Sequence, residues 1–375
     1  MTPYEPVQQG RSVTLALCGD VMTGRGVDQI LPHPGDPRIS EAYIRDAREY
    51  VRLAEAEHGP VPRAVGPEYI WGDVLKSLDA ASPAARLVNL ETAITARGGP
   101  WPGKEVHYRM HPANLPCLKA AKLDLAILAN NHAMDYGREG LADTLAALQG
   151  AGIRTAGAGA SVVGAFSPTP VPLRGGGTLE VFAYGSPTSG VPESWAASGE
   201  GSGVAFLPDL SLHTADALLE DIQAAKQPGK LVLVSLHWGS NWGYEVPAEQ
   251  VTFARRLIDG GADLIFGHSS HHVRPMEVHR DRLILYGCGD FIDDYEGIGG
   301  DTSFRDDLRV LFLPSLDPAT GALRHLRMLP FAARRLRLAR ASAEDAAWLA
   351  QTLTRVCSPF NRRVEVRDTW ELHLH

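Results

Sequence analysis

Short apolar runs rich in Val, Ile and Leu recur along this chain, each stopping abruptly at glycine or a polar residue. They fall at 13–18, 86–90, 123–129, 231–236, 263–266 and 283–286. Runs this short, apolar at consecutive positions, predict strands buried on both faces. Between several of them the period lengthens to that of a helix. Positions 140–149 read as an amphipathic helix ending at Gly150. Positions 247–259 read as another, stopped by Gly260 and Gly261, with Pro247 near the first turn where its missing N–H costs little. The Gly-, Ser- and Pro-rich stretch 157–203 predicts loops and hairpin strands rather than a linker, because chemically distinctive residues lie on both sides of it. Beyond Asp306 the pattern changes: 308–313 and 325–330 predict paired strands, and 344–356 a helix. Strands alternating with helices indicate an α/β fold. The expected organisation is a core over 1–310, with the strands and helix of 311–375 packed on the same domain.

Composition narrows the function. The chain has 375 residues, 44% hydrophobic and 21% charged, enough for a large core. Its formal charge is −8 with no Lys/Arg-rich run, which argues against nucleic acid as a partner. No stretch approaches the ~20 apolar residues of a membrane helix. Segment 13–18 lacks the basic flank and small-residue cleavage site of a secretory signal. The expectation is a cytoplasmic protein with no membrane partner. Cys18, Cys117, Cys288 and Cys357 are scattered without a CxxC pair and are expected to be free buried thiols.

Five predicted strands run into residues able to hold metal or phosphate. Asp20 leaves the first through Gly19; such an aspartate either ligates a cation or caps the next turn. Glu91 ends an apolar run, where an unpaired charge is costly. Asn130, Asn131 and His132, with Asp135 beyond, follow the third. His237 closes the fourth, as a packed core residue or as a ligand. His268, His271 and His272 crowd the exit of the fifth, which packing does not explain. Imidazole mixed with carboxylates and amides suits Zn, Mn, Fe or similar divalent ions. Adjacent strand ends of an open α/β sheet face a common crevice, so one shared site is expected. Arg25, Arg109 and Arg274 lie close in sequence to these residues and are candidate contacts for an anionic substrate, with Asn130 beside them; each arginine could equally be an ordinary surface residue. His107 and His111 flank Arg109, which places that segment near the expected pocket.

These motifs resemble the CapA-type (poly-γ-glutamate capsule synthesis) proteins, a branch of the calcineurin-like metallophosphoesterase superfamily. The resemblance is carried by Gly19-Asp-Val-Met-Thr-Gly-Arg25, Asn89-Leu-Glu91-Thr-Ala-Ile-Thr95, Asn130-Asn-His132-Ala-Met-Asp135-Tyr-Gly, His237-Trp-Gly, Gly267-His268-x-x-His271 and Leu285-Tyr-Gly-Cys-Gly-Asp290-Phe. It implies a four-layer α/β/β/α sandwich of the metallo-dependent phosphatase type, with the metal site at one edge of the paired sheets. It implies Asp20 and His271 at a first metal, Glu91 bridging, and Asn131, His237 and His268 at a second. His132 would serve near the leaving group as general acid or transition-state stabiliser, so Asp20, His132 and His271 form the expected catalytic set. The implied cofactor is one or two divalent ions, Mn, Zn, Fe or Ca.

The chain departs from ordinary phosphoesterases at three points. Met22 stands where a histidine ligand is expected, Glu91 where a bridging aspartate is usual, and Gly-His-x-x-His where Gly-His-x-His is usual. Asp290, after the last strand, is a candidate replacement ligand, and His272 a further candidate. The expected function is a metal-dependent hydrolase of a phosphoester or of a γ-glutamyl or peptide-type substrate, linked to poly-γ-glutamate or capsule metabolism. The partner would be a small molecule, a peptide or polyglutamate. Two alternatives stand beside it: a peptide Cα epimerase reusing the fold in a ribosomal-peptide pathway, and a non-catalytic component of capsule assembly.

Overall fold

The computed structural model describes residues 12–199, 201–298 and 303–375; residues 1–11 of the expected core lie outside these. The chain lays down its two main sheets in three passes. The first pass gives β1 (Val13–Val21), β2 (Ala85–Leu90), β3 (Leu125–Ile127) and β4 (Arg154–Ala156). The second gives β5 (Thr169–Pro172), β6 (Thr178–Gly185), β7 (Lys230–His237), β8 (Leu264–His268), β9 (Met276–His279) and β10 (Arg282–Leu285). The third returns to the first sheet with β11 (Asp290–Ile292), β12 (Leu308–Leu316), β13 (Leu323–Ala333), β14 (Leu338–Arg340), β15 (Val364–Val366) and β16 (Leu372–Leu374).

The first sheet runs β15-β16-β13-β12-β1-β2-β3-β4, with β11 joined to β1 and β14 to β13; the second runs β9-β10-β8-β7-β6-β5. β1 to β4 are parallel in sequence, as are β6, β7, β8 and β10 across the second sheet, whereas β12 returns antiparallel to β1. The parallel strands are the apolar runs of the sequence, since a parallel strand covered on both faces has no solvent side to mark with polar residues. Every such run lies in or overlaps a strand. The hairpin expected within 157–203 is the antiparallel pair β5–β6, and the late strand pair is β12–β13.

Side chains of successive residues point to opposite faces of a strand, and here each face has its own core. Leu15, Leu17, Leu87 and Leu125 of the first sheet meet Leu231, Leu233, Phe266 and Leu283 of the second in one cluster. The alternate residues Ala16, Cys18, Val88 and Ala126 pack instead with Val51 of α1 (Arg48–His58), Leu78 of α2 (Val74–Ala81) and Leu141 of α3 (Gly137–Gly150). On the second sheet Val232, Val234 and Ile265 pack with Ile222 of α4 (Leu212–Ala225) and Leu257 of α5 (Ala248–Asp259). A last helix, α6 (Ala343–Cys357), opens on a capping box between Ser342 and Asp345 and sends Ala346, Leu349 and Leu353 into the core between the sheets. The helices expected at 140–149, 247–259 and 344–356 are α3, α5 and α6. The four cysteines are buried and unpaired. Among the described residues no helix is long and apolar enough to cross a membrane.

Candidate metal centre

The C-terminal ends of the parallel strands in both sheets converge, and the polar residues after them meet there. β1 extends past the expected 13–18 to Val21, because its edge at Asp20 is paired on both sides, with Asn89 of β2 and with Asp290 of β11. The approach to Asp290 depends on two glycines. A Cβ on Gly19 would lie 1.8 Å from the Gly289 carbonyl oxygen, which instead accepts the Asp20 N–H at 3.0 Å, and Gly289 itself adopts φ +75°. Both segments read Cys-Gly-Asp, and this close passage sets Asp20 and Asp290 side by side, each 1% exposed.

Asp20, Glu91 and His237 offer ligand atoms that all lie within 4.8 Å of one another. Glu91 Oε1 is 3.6 Å from His237 Nε2, and Asn131 Oδ1 is 3.2 Å from the same nitrogen. His268 Nδ1 comes to 3.3 Å from Asp20 Oδ1, off the line of a hydrogen bond. Among the described residues neither ring nitrogen of His268, nor His237 Nδ1, has a hydrogen-bond partner, although all are buried. Orphaned buried nitrogens are uncommon and ask for an explanation. Ser269, which follows β8, holds φ +98°, a conformation rare for a side-chain-bearing residue, and its N–H reaches Asp20 Oδ2 at 3.3 Å.

The electrostatics point the same way. Burial pushes the Glu91 carboxyl well up, and the neighbouring Asp20 and Asp290 charges push it further. Burial also acts on Asp20, but the His268 and His237 imidazoles and the Asn89 amide outweigh it and hold that carboxyl at about 2. Burial lowers His237 to about 3, so the ring is neutral, the form that ligates metals. Clustered acids, a neutral imidazole and buried ring nitrogens without hydrogen bonds are a donor set that fits a divalent cation.

A cavity of about 190 Å³ opens beside this cluster, lined by residues that include Glu91, Lys104, Asn131, His132, His237 and His271. His132 turns Nε2 toward Glu91, 3.9 Å from Oε1, while Nδ1 lies 2.6 Å from Asp135 Oδ2 and 2.8 Å from Lys104 Nζ. Burial lowers His132 to about 4, Asp135 opposing and Lys104 adding to the shift. His271 faces the cavity with Nδ1 at 3.0 Å from Asp290 Oδ1, and this carboxylate, working against burial, raises the imidazole. Met22, in the place of the missing histidine, is buried with Sδ 3.6 Å from the Tyr295 hydroxyl.

The structure thus brings together Asp20, Glu91, Asn131, His132, His237, His268, His271 and Asp290. Five other candidates stand apart from the cavity lining. Arg25 is buried in an ion-paired cluster with Asp294 and Glu41, its guanidinium 3.8 Å from the Tyr50 ring centroid, and does not line the cavity. Arg109 stacks on Tyr136 at 4.2 Å and lines a separate crevice with His107. Arg274 spends its N–H groups on Gly243 O, Glu245 O and Gln250 Oε1. His272 accepts the Gly243 N–H at 3.1 Å and stacks on Phe304, so it supports the same loop rather than facing the cavity. Asn130 is fully buried and bonded to Asn89 and the Leu90 carbonyl. For Arg25 and Arg274 the reason is that a buried arginine takes whatever acceptors surround its head group.

Other residues at the site were given no role from the sequence. Asn89 could have been, since it stands two positions before Glu91 and the strand period puts both on one face. Asp135 stands at i+3 from His132, a spacing that brings side chains together within one turn. Lys104 sits in a Gly- and Pro-containing loop with no period, and nothing in its neighbourhood signals it.

A family model described as Bacterial capsule synthesis protein PGA_cap matches residues 14–295, which span β1 to β11 and every residue of the site. The chain belongs to that family. A probable polyglutamine synthesis accessory protein of Mycobacterium tuberculosis is 49% identical over 356 residues, 95% of this chain and 94% of that protein. A PGA biosynthesis protein CapA of Bacillus subtilis is 27% identical over 311 residues, 83% of this chain and 70% of that protein. Membership ties the chain to the CapA-type proteins of polyglutamate and capsule synthesis.

Proposed function

We propose that this chain is a metal-dependent hydrolase of a phosphoester or of a γ-glutamyl or peptide-type substrate, acting in the cytoplasm in polyglutamate or capsule metabolism. The observation that carries the proposal is the buried convergence of Asp20, Glu91 and His237, whose ligand atoms lie within 4.8 Å of one another, beside His268, whose Nδ1 lies 3.3 Å from Asp20 without a hydrogen bond. The three packed cores support a four-layer α/β/β/α sandwich of the metallo-dependent phosphatase type, built as one domain with 311–375 included.

Asp20, Glu91, Asn131, His237 and His268 would hold the ion or ions, Mn, Zn, Fe or Ca, with Asp290 and His271 completing the set where Met22 offers no nitrogen. Divalent cations held there would supply Lewis acidity and a clamp for the oxygens of a displacement. The remaining work falls to the chain. His132 Nε2 faces the cavity, where the ring can act on the leaving group as a transition-state stabiliser or, once protonated, as a general acid, oriented by Asp135 from behind. Lys104 fixes Asp135 in turn, at 2.5 Å from Oδ1. The cavity of about 190 Å³ suits one small group, a phosphate or a single glutamyl unit, with the rest of a longer substrate outside.

The test is turnover of an aryl phosphate and of γ-glutamyl oligomers by metal-stripped protein before and after Mn²⁺ or Zn²⁺ addition. Hydrolysis restored by metal is the expected result. Metal binding without turnover would favour the accessory role that the mycobacterial relative's name describes. Deuterium exchange into a peptide Cα without hydrolysis would favour the epimerase.

A further inference from the structure

We infer that Asn89 is a positioning residue that sets the spacing of Asp20 and Glu91, the two carboxylates of the candidate centre; the inference rests on the metal-dependent reading above. Asn89 faces Asp20 across the β1–β2 ladder and shares a strand face with Glu91, so its amide lies between the two acids. Its Nδ2 donates to Asp20 Oδ1 at 2.8 Å and reaches Glu91 Oε2 at 3.4 Å. One amide group therefore serves both acids, one N–H to each.

The orientation of that amide is fixed from its other side. Asn130 Nδ2 donates to Asn89 Oδ1 at 3.0 Å. Asn130 is itself held, because its Nδ2 also donates to Leu90 O at 2.9 Å and its Oδ1 accepts the His132 N–H at 3.1 Å. Turning Asn89 over would set two amide nitrogens against each other and an amide oxygen against two carboxylates. Both side chains are fully buried, so water does not compete for these bonds. The two-asparagine relay thus ties the carboxylate pair to the backbone of His132, the residue facing the cavity.

The choice of a neutral amide matters. A lysine or arginine between these acids would draw them together too, but it would neutralise them and compete with any cation. Asn89 brings them together while adding no charge, and leaves the pair free to be compensated from outside. Outer hydrogen bonds of this kind orient the ligands of metal sites, and removing them typically costs roughly 10–100-fold in affinity.

The experiment compares Mn²⁺ and Zn²⁺ binding by calorimetry in metal-stripped wild type, Asn89→Leu, which keeps the volume and removes both donors, and Asn89→Ser, which keeps one. Affinity should fall roughly 10–100-fold in Asn89→Leu and recover in part in Asn89→Ser. Equal affinity in wild type and Asn89→Leu overturns the inference and leaves the metal reading intact. A wild type that binds neither ion overturns both. Should Asn89→Leu not fold, the wild-type protein still decides: the Asn89 side-chain amide protons should exchange slowly with solvent and shift on Zn²⁺ titration, and amide protons indifferent to Zn²⁺ overturn the inference.

Discussion

Two buried acid clusters stand within a few residues of each other and are built in opposite ways. Asp293 and Asp294 follow β11 and are met by guanidinium groups: Arg309 pairs with Asp293 with both side chains 1% exposed, and Arg25 pairs with Asp294 and Glu41. Asp290, only three residues earlier, belongs with Asp20 and Glu91 to a cluster that, among the described residues, has no arginine ion pair; its neighbours are imidazoles, His271 beside Asp290 and His268 beside Asp20. The nearest ammonium, Lys104, is bonded to Asp135 instead. Since an uncompensated buried charge is expensive, the first cluster is finished by the chain's own arginines, and the second is the one that the proposed function has a cation complete. Burial is common to both clusters; what separates them is the partner, guanidinium groups in the first and imidazoles in the second.

The largest effect should come from breaking the finished cluster. Arg309→Met leaves Asp293 buried and alone and should cost about 3–5 kcal/mol in unfolding free energy, read by urea titration with EDTA present. A smaller effect of opposite sign is expected from ligand binding at the unfinished one. Divalent ion at a hundred times its Kd should raise wild-type stability by about 2.7 kcal/mol and should not move Asp20→Asn. Smaller again is the effect of relieving the crowding without metal. Glu91→Gln should stabilise the EDTA-treated protein by about 0.5–2 kcal/mol, as often happens when a functional site is emptied of strain; a loss of stability there would mean that Glu91 is already compensated by the chain. The smallest change should follow Arg109→Ala, which removes a stacking contact worth about 0.5–1 kcal/mol and should leave metal content unchanged.

The residues that read most clearly in the sequence are those whose environment is set by the strand they end. Asp20, Glu91, His237 and His268 stand at or next to the ends of the apolar runs, and a parallel strand order gathers such ends whatever the loops do. Asn131 and His132 follow the short β3 and arrive at the same place. The arginines stand away from the cavity because a long side chain reaches its partner through the fold: Arg25 finds Asp294, which is 269 residues away in sequence. Lys104 and Tyr295 were invisible for the same reason, since loop residues carry no period. Asp290 came within reach only as a residue after a strand, and its pairing with Asp20 depends on a backbone passage between Gly19 and Gly289 that no local pattern announces. Among the elements, α1, α2 and α4 were not read, and 123–129 gave only the short β3, because the chain turns away to place its two asparagines.

The most direct test is the metal content of the full chain after stripping and reloading with Mn²⁺ or Zn²⁺, measured for wild type, Asp20→Asn and His237→Ala. At least one ion held per wild-type chain, and a clear loss in both variants with the fold retained, is the predicted result. A wild-type chain that holds no ion, or variants that hold as much as it does, would contradict the account.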